Sequence, residues 1–126
     1  MADEVQAARP HLLVVERDMI VGYALAEDLD ELGYRVSGPY RSFGEVETVL
    51  AGDPPDGAII DIMLTDGAGI EATRALCRRG IPVVFFSAGD KRRLLDEQFE
   101  HVPWVDKPAP TERLLGALKM RRRQQT

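Results

Sequence analysis

The segment Ala58-Ile59-Ile60 runs straight into Asp61. A carboxylate at the end of a buried apolar strand needs a partner or a function, because burying an unpaired charge is costly. The other apolar runs also end in chemically useful groups. Leu12-Leu13-Val14-Val15 leads to Glu16-Arg17-Asp18, Val83-Val84-Phe85-Phe86 to Ser87, and Val102–Val105 to Lys107-Pro108. A carboxylate can attack a phosphoryl group and form an aspartyl-phosphate. Negative charge on the transferred group then needs compensation. A hard divalent cation such as Mg²⁺, held by one or two carboxylates, a carbonyl and waters, can supply it. A lysine adds a point charge for phosphate oxygens, and a small hydroxyl donates to the same oxygens. By type and location, Asp61, Glu16, Lys107 and Ser87 match those parts.

Those residues meet only if the runs are strands of one parallel sheet. Short apolar runs alternate with amphipathic stretches, which predicts repeated β-α units. The first strand spans about His11–Glu16. A helix follows from Asp18 as N-cap, with Ile20, Val21, Ala24, Leu25, Leu29 and Leu32 on its buried side and Gly33 as its stop. A second strand covers Tyr34–Gly38. Ser42-Phe43-Gly44-Glu45 has the spacing of a capping box, so a second helix spans about Ser42–Ala51. The third strand is Ala58–Ile62, the third helix lies near Gly69–Arg79, and the fourth strand is Pro82–Ser87. Asp90 caps a short fourth helix to about Phe99. His101–Val105 is the fifth strand, and Thr111–Arg122 the fifth helix with Leu114, Leu115 and Leu118 inward. The expected fold is therefore α/β: a flavodoxin-like five-stranded parallel sheet in order 2-1-3-4-5 with helices on both faces. That order brings the ends of strands 1 and 3 together at the switch point, where ligands bind.

The chain has 126 residues, which fits one domain, with a core of about 10–122. Residues 44% hydrophobic suffice for a packed core, and no apolar run approaches the ~20 residues of a membrane helix. The N-terminus does not read as a signal peptide, and a cytoplasmic location is expected. The single cysteine, Cys77, excludes an internal disulfide framework and reads as a small core filler. A net charge of −5 gives no case for nucleic acid. Arg121-Arg122-Arg123 is a local exception, read as a solvated helix end. His11 and His101 have no ligand-like spacing. A glycine-rich phosphate cradle is missing after strand 1, which weighs against a flavin or nucleotide binder.

At these residues the chain resembles the receiver domain of bacterial two-component response regulators. The resemblance runs from Leu12 to Leu118. It rests on Val14-Val15-Glu16, on Ile60-Asp61-Ile62-Met63-Leu64-Thr65-Asp66-Gly67, on Phe86-Ser87-Ala88 and on Trp104-Val105-Asp106-Lys107-Pro108. It implies that Asp61 is the phospho-acceptor, that Glu16 belongs to the acidic metal pocket, and that the Met63 carbonyl is a metal ligand. It further implies that Ser87 and Lys107 contact the phosphoryl group, that Trp104 stands at the aromatic switch position, and that the Lys107–Pro108 bond is cis. A histidine kinase or phosphotransfer protein would be the donor. A homodimer through the helix 4–strand 5–helix 5 face is a further implication, and the domain itself is not an enzyme. With only a few polar residues after the fifth helix, output is expected through protein contact or phosphorelay.

The pattern departs from the family at Arg17. Receivers usually carry a second acidic residue there, and it binds Mg²⁺ directly. A guanidinium cannot ligate a cation. The change removes one negative charge and adds one positive. Each unit is worth ~3 kcal/mol at ~5 Å and an effective dielectric of about 20, before screening. Mg²⁺ is therefore expected to bind, but weakly. Arg17 either forks onto Glu16 or Asp61 and fills part of the metal pocket, or points outward from the first helix. Thr65 and Pro110 are milder departures. Two function classes follow: a phosphoryl-accepting receiver, or a pseudo-receiver interaction module working without Mg²⁺-dependent phosphorylation.

Overall fold

Apolar residues at a period of two in strands and 3.6 in helices define two faces of a single sheet here. The computed structural model describes residues 9–62, 67–88 and 99–120. Its strands are β1 (His11–Val15), β2 (Arg35–Tyr40), β3 (Gly57–Ile60), β4 (Val83–Ser87) and β5 (Trp104–Asp106). All pair in parallel, in the order β2-β1-β3-β4-β5. The described helices are α1 (Met19–Glu31), α2 (Phe43–Gly52), α3 (Ala68–Arg78) and α4 (Thr111–Ala117). The expected fold and strand order are both present. The expected helix from Asp90 to Phe99 lies almost wholly outside the described residues, as does the Arg121–Arg123 tail.

Alternation along the inner strands sorts the core into two layers. Leu13, Val15, Ala58, Ile60, Val83 and Phe85 pack with Val46 and Leu50 of α2 and Ala72 and Leu76 of α3. Leu12, Val14, Ile59, Val84 and Phe86 pack with Leu25 and Leu29 of α1 and with Leu114 and Leu118. Both faces of β1, β3 and β4 are thus covered, which is why they read as unbroken apolar runs.

The boundaries differ from expectation where a local rule is overridden. β2 runs through Gly38-Pro39 to Tyr40 instead of ending at Gly38. Proline is tolerated because β2 is an edge strand. Between Leu13↔Ser37 and Val15↔Tyr40 the strand carries one extra residue, a bulge. Gly38 sits there at φ 110°, and a Cβ on it would stand 2.3 Å from the Val14 carbonyl oxygen. β5 begins at Trp104 rather than His101, because Val102 N–H closes a turn onto the Phe99 carbonyl at 3.0 Å. α4 ends at Ala117, earlier than expected. Leu118 turns extended and is buried, and Met120 covers Gly57, where a Cβ would meet its sulfur at 2.6 Å.

Ile20, Ala24 and Leu32 do not lie on the buried side of α1. Ile20 is 83% exposed and Leu32 48%, and Ala24 is exposed. The buried stripe is Gly22, Leu25 and Leu29. At about 100° per residue Ile20 and Ala24 fall on the opposite side, while Leu32 is already the C-cap. Capping follows the sequence more closely. Asp18 Oδ1 accepts from Ile20 and Val21 N–H at 2.9 and 3.3 Å. Ser42 Oγ accepts from Glu45 N–H at 3.3 Å. Pro110 gives α4 no side-chain cap; Thr111 instead donates to Asp28 of α1 at 3.1 Å.

Candidate functional site

Parallel pairing puts the C-terminal ends of β1, β3, β4 and β5 on one edge. Glu16 follows β1, Asp61 follows β3, Ser87 ends β4, and Lys107 follows β5. Backbone bonds hold these ends in line. Asp61 N–H donates to the Val15 carbonyl at 2.8 Å, Glu16 N–H to Tyr40 at 2.9 Å, and Lys107 N–H to Ser87 at 3.0 Å. α3 abuts the end of β3 at Gly69, where a Cβ would lie 2.8 Å from the Asp61 carbonyl oxygen. Only glycine lets that helix seat against the strand end.

The four side chains converge. Ser87, fully buried, donates its hydroxyl to Asp61 Oδ1 at 2.6 Å and accepts from Ile62 N–H at 3.1 Å. Lys107 Nζ reaches Asp61 Oδ2 at 3.0 Å and Glu16 Oε1 at 2.5 Å. The second oxygen of Glu16 accepts from Asp18 N–H at 3.0 Å. Glu16 and Asp61 are 3% and 6% exposed, so their charges are compensated inside the protein. The Lys107 ammonium also stands 5.5 Å from the centre of the Phe86 ring, a favourable cation–π placement.

Electrostatics follow from burial. Burial pushes the Glu16 carboxyl above its ordinary value, and the bonds from Lys107 and from Asp18 N–H only partly offset this. For Lys107, burial works to lower the value. Its bonds to Glu16 and Asp61 outweigh that and hold it above the ordinary lysine value. Lys107 thus remains a cation clamped between two carboxylates.

The other expected participants lie apart or outside the described residues. Met63, with its carbonyl, and Asp66 are outside the described residues. Trp104 is half-buried, packs edge-to-face on Phe85 at 6.0 Å between ring centres, and donates from Nε1 to Asp106 at 2.8 Å. Arg17 is exposed, and the Glu16 oxygens are taken by Lys107 and Asp18 N–H rather than by its guanidinium. The outward alternative for Arg17 is the one observed. The Lys107–Pro108 bond is cis, and so is Gly38–Pro39, which the sequence reading did not foresee. Cys77 is half-buried on α3. It also walls a hollow of about 420 Å³ at the opposite sheet edge, lined by Ile81, Pro82, Val102 and Pro103 and, among the described residues, by no carboxylate.

The donor set fits Mg²⁺ poorly. Among the described residues no group of three His, Cys, Asp or Glu side chains could hold a metal. Both Glu16 oxygens are engaged, Asp18 Oδ1 is turned to cap α1, and the position beside Glu16 is a cation. Lys107 already compensates Glu16 and Asp61 from within the pocket, which weakens its pull on a dication.

Sequence reasoning missed Phe86, Gly69 and the Asp18 N–H as parts of the site. Phe86 precedes Ser87, and Gly69 opens a helix just past Asp61; their positions were the available signals. No family model matches the chain, and no curated protein matches it either. Solved structures do. The non-phosphorylated HemR receiver domain from Leptospira biflexa is 26% identical, with a TM-score of 0.69 over 86% of this chain and 90% of that one. A sensor protein from Polaromonas sp. is 25% identical, with a TM-score of 0.73 over 86% and 92%. A response regulator receiver protein from Sinorhizobium medicae is 18% identical, with a TM-score of 0.75 over 87% and 91%. With its sheet order, its strand-end cluster and these neighbours, the chain has the receiver-domain fold of two-component response regulators.

Proposed function

We propose that this chain is a response regulator receiver that accepts a phosphoryl group on Asp61 and signals through protein contact or phosphorelay. One observation carries the reading: the Asp61 carboxylate lies between the Ser87 hydroxyl at 2.6 Å and the Lys107 ammonium at 3.0 Å. An Asp61 oxygen attacks phosphorus, and the bond from phosphorus to the donor breaks. With a histidine kinase or phosphotransfer protein as donor, an imidazole nitrogen leaves with the bonding pair. Lys107 is then released from the carboxylate and takes up a phosphoryl oxygen, and the Ser87 hydroxyl turns to another. The domain receives the group as a signal and is not an enzyme in its own right.

Mg²⁺ would need Glu16, Asp61 and the Met63 carbonyl as ligands and would add positive charge to the phosphoryl oxygens; with both Glu16 oxygens engaged and Arg17 beside them, its binding is weak. Ser87 and Trp104 carry the conformational response, shifting an existing equilibrium at the face of β5 and α4. That face is also where a second copy would pair. Residues 1–126 act as one receiver domain with a cytoplasmic location; among the described residues no helix is long and apolar enough to cross a membrane. The test is intact mass after acetyl phosphate treatment. Wild type gains one phosphoryl group and Asp61→Asn gains none. Labelling that persists in Asp61→Asn removes Asp61 from the role.

A second reading, a pseudo-receiver interaction module, is favoured by the engagement of both Glu16 oxygens within the protein. It predicts no Asp61-dependent mass under any condition.

A further inference from the structure

Arg17 is an exposed guanidinium placed directly after a buried carboxylate of the Asp61 pocket. We propose that Arg17 is a phosphoryl-binding residue of this pocket and that it stands in for a divalent cation, so that phosphoryl acceptance is independent of metal and dependent on Arg17. The inference rests on the reading of Asp61 as acceptor.

Charge makes the first argument. The pocket at rest holds Glu16 and Asp61 against Lys107. When Asp61 becomes an acyl phosphate its own charge is lost, and the phosphoryl oxygens bring up to two. Glu16 keeps its hold on Lys107, so one ammonium serves both it and the new group. A further cation is needed.

Geometry makes the second. The described donors do not assemble a dication site: Lys107 and Asp18 N–H occupy both Glu16 oxygens, and Asp18 Oδ1 is committed to the N–H groups of Ile20 and Val21. Arg17 lies in the two-residue connection between Glu16 and Met19, the start of α1, on the same sheet edge as Asp61. It is bound to neither Glu16 oxygen and points outward at rest, so the proposal requires its long side chain to swing over the mouth of the pocket when the phosphoryl group arrives. A guanidinium presents paired N–H donors that match two phosphate oxygens.

The step balances without a metal. With acetyl phosphate, an Asp61 oxygen forms the new bond to phosphorus. The bond from phosphorus to the acetyl oxygen breaks, and acetate leaves with the electron pair. Acetate is a stable anion, so no proton is required. Lys107 and Arg17 meet the oxygens of the transferred group.

The test compares initial rates of mass gain from acetyl phosphate, in excess EDTA and in excess Mg²⁺, for wild type, Arg17→Ala, Arg17→Lys and Arg17→Asp. Arg17 is exposed, so the variants keep the fold, checked by circular dichroism. Wild type is expected to label in EDTA at a rate that Mg²⁺ changes by less than about twofold. Loss of a charge-assisted bidentate contact slows Arg17→Ala roughly tenfold in both conditions, with Arg17→Lys between. Arg17→Asp labels only with Mg²⁺. Wild-type labelling that stops in EDTA overturns the inference, and so does Arg17→Ala or Arg17→Asp labelling as fast as wild type in EDTA; either result leaves Asp61 as acceptor. Absence of Asp61-dependent mass in every condition overturns the acceptor reading itself, and the inference with it.

Discussion

Lys107, partly buried, and the buried Glu16 form an ion pair 2.5 Å long, and the same ammonium reaches Asp61 at 3.0 Å. The lysine therefore holds two carboxylates that would otherwise repel each other in the same low-dielectric pocket. Replacing Lys107 by Met leaves both without their cation. Breaking a buried pair by removing one partner costs about 3–5 kcal/mol. Replacing Glu16 by Gln as well removes one of the stranded charges. The double variant should be more stable than the sum of the single losses by about 1 kcal/mol or more, read from urea unfolding as a double-mutant cycle. Additive losses would mean that the two side chains do not interact in solution.

The Trp104 indole is tied to Asp106 by a 2.8 Å hydrogen bond while its ring packs on Phe85. An inward movement of the ring on phosphorylation must break that bond. Such a bond contributes about 0.5–1.5 kcal/mol net. Asp106→Ala should shift the ring equilibrium, changing tryptophan emission in unmodified protein and shrinking the further change on acetyl phosphate treatment. Trp104 is the single tryptophan, so the signal is its own. An Asp61-modified protein with unchanged emission would make Trp104 purely structural.

The strand ends were legible because burial on both faces leaves unmistakable apolar runs, and a parallel sheet then forces Glu16, Asp61, Ser87 and Lys107 together. Boundaries were less legible where tertiary packing decides. Pro39 reads as a breaker until β2 is known to be an edge. The α4 terminus is set by Leu118 and Met120 leaving the helix to cover Gly57, a contact with no local signal. Ile20 reads as core by type alone, but the Gly22 stripe turns it outward. Arg17 could not be placed from sequence, because both of its alternatives satisfy a solvent-side guanidinium. His11 received no role, yet it is a buried polar residue opening an apolar strand, and such a residue must find partners.

His11 finds them in Ser37, 2.6 Å from Nε2, and in the Pro54 carbonyl, 3.4 Å from Nδ1. Burial, and then the Arg35 charge, lower its pKa, with the Pro54 carbonyl and then Asp53 and Asp56 opposing. The folded state thus binds a proton less readily than the unfolded chain, whose histidine titrates near 6.5. Stability from this residue is present above that value and is lost as pH falls below it, until the folded state also protonates. Unfolding free energy measured from pH 7 to 5 should fall more steeply for wild type than for His11→Gln. Parallel curves would show that His11 titrates alike in both states.

The central claim, that Asp61 takes the phosphoryl group, is tested most directly by locating the group. Borohydride reduces an acyl phosphate to the alcohol while leaving free carboxylates intact. After acetyl phosphate treatment and reduction, peptide mass mapping should find the reduced residue at position 61 and unmodified carboxylates at Glu16 and Asp18. Reduction at Glu16 or Asp18, or at no carboxylate in protein that had gained the phosphoryl mass, would contradict the account.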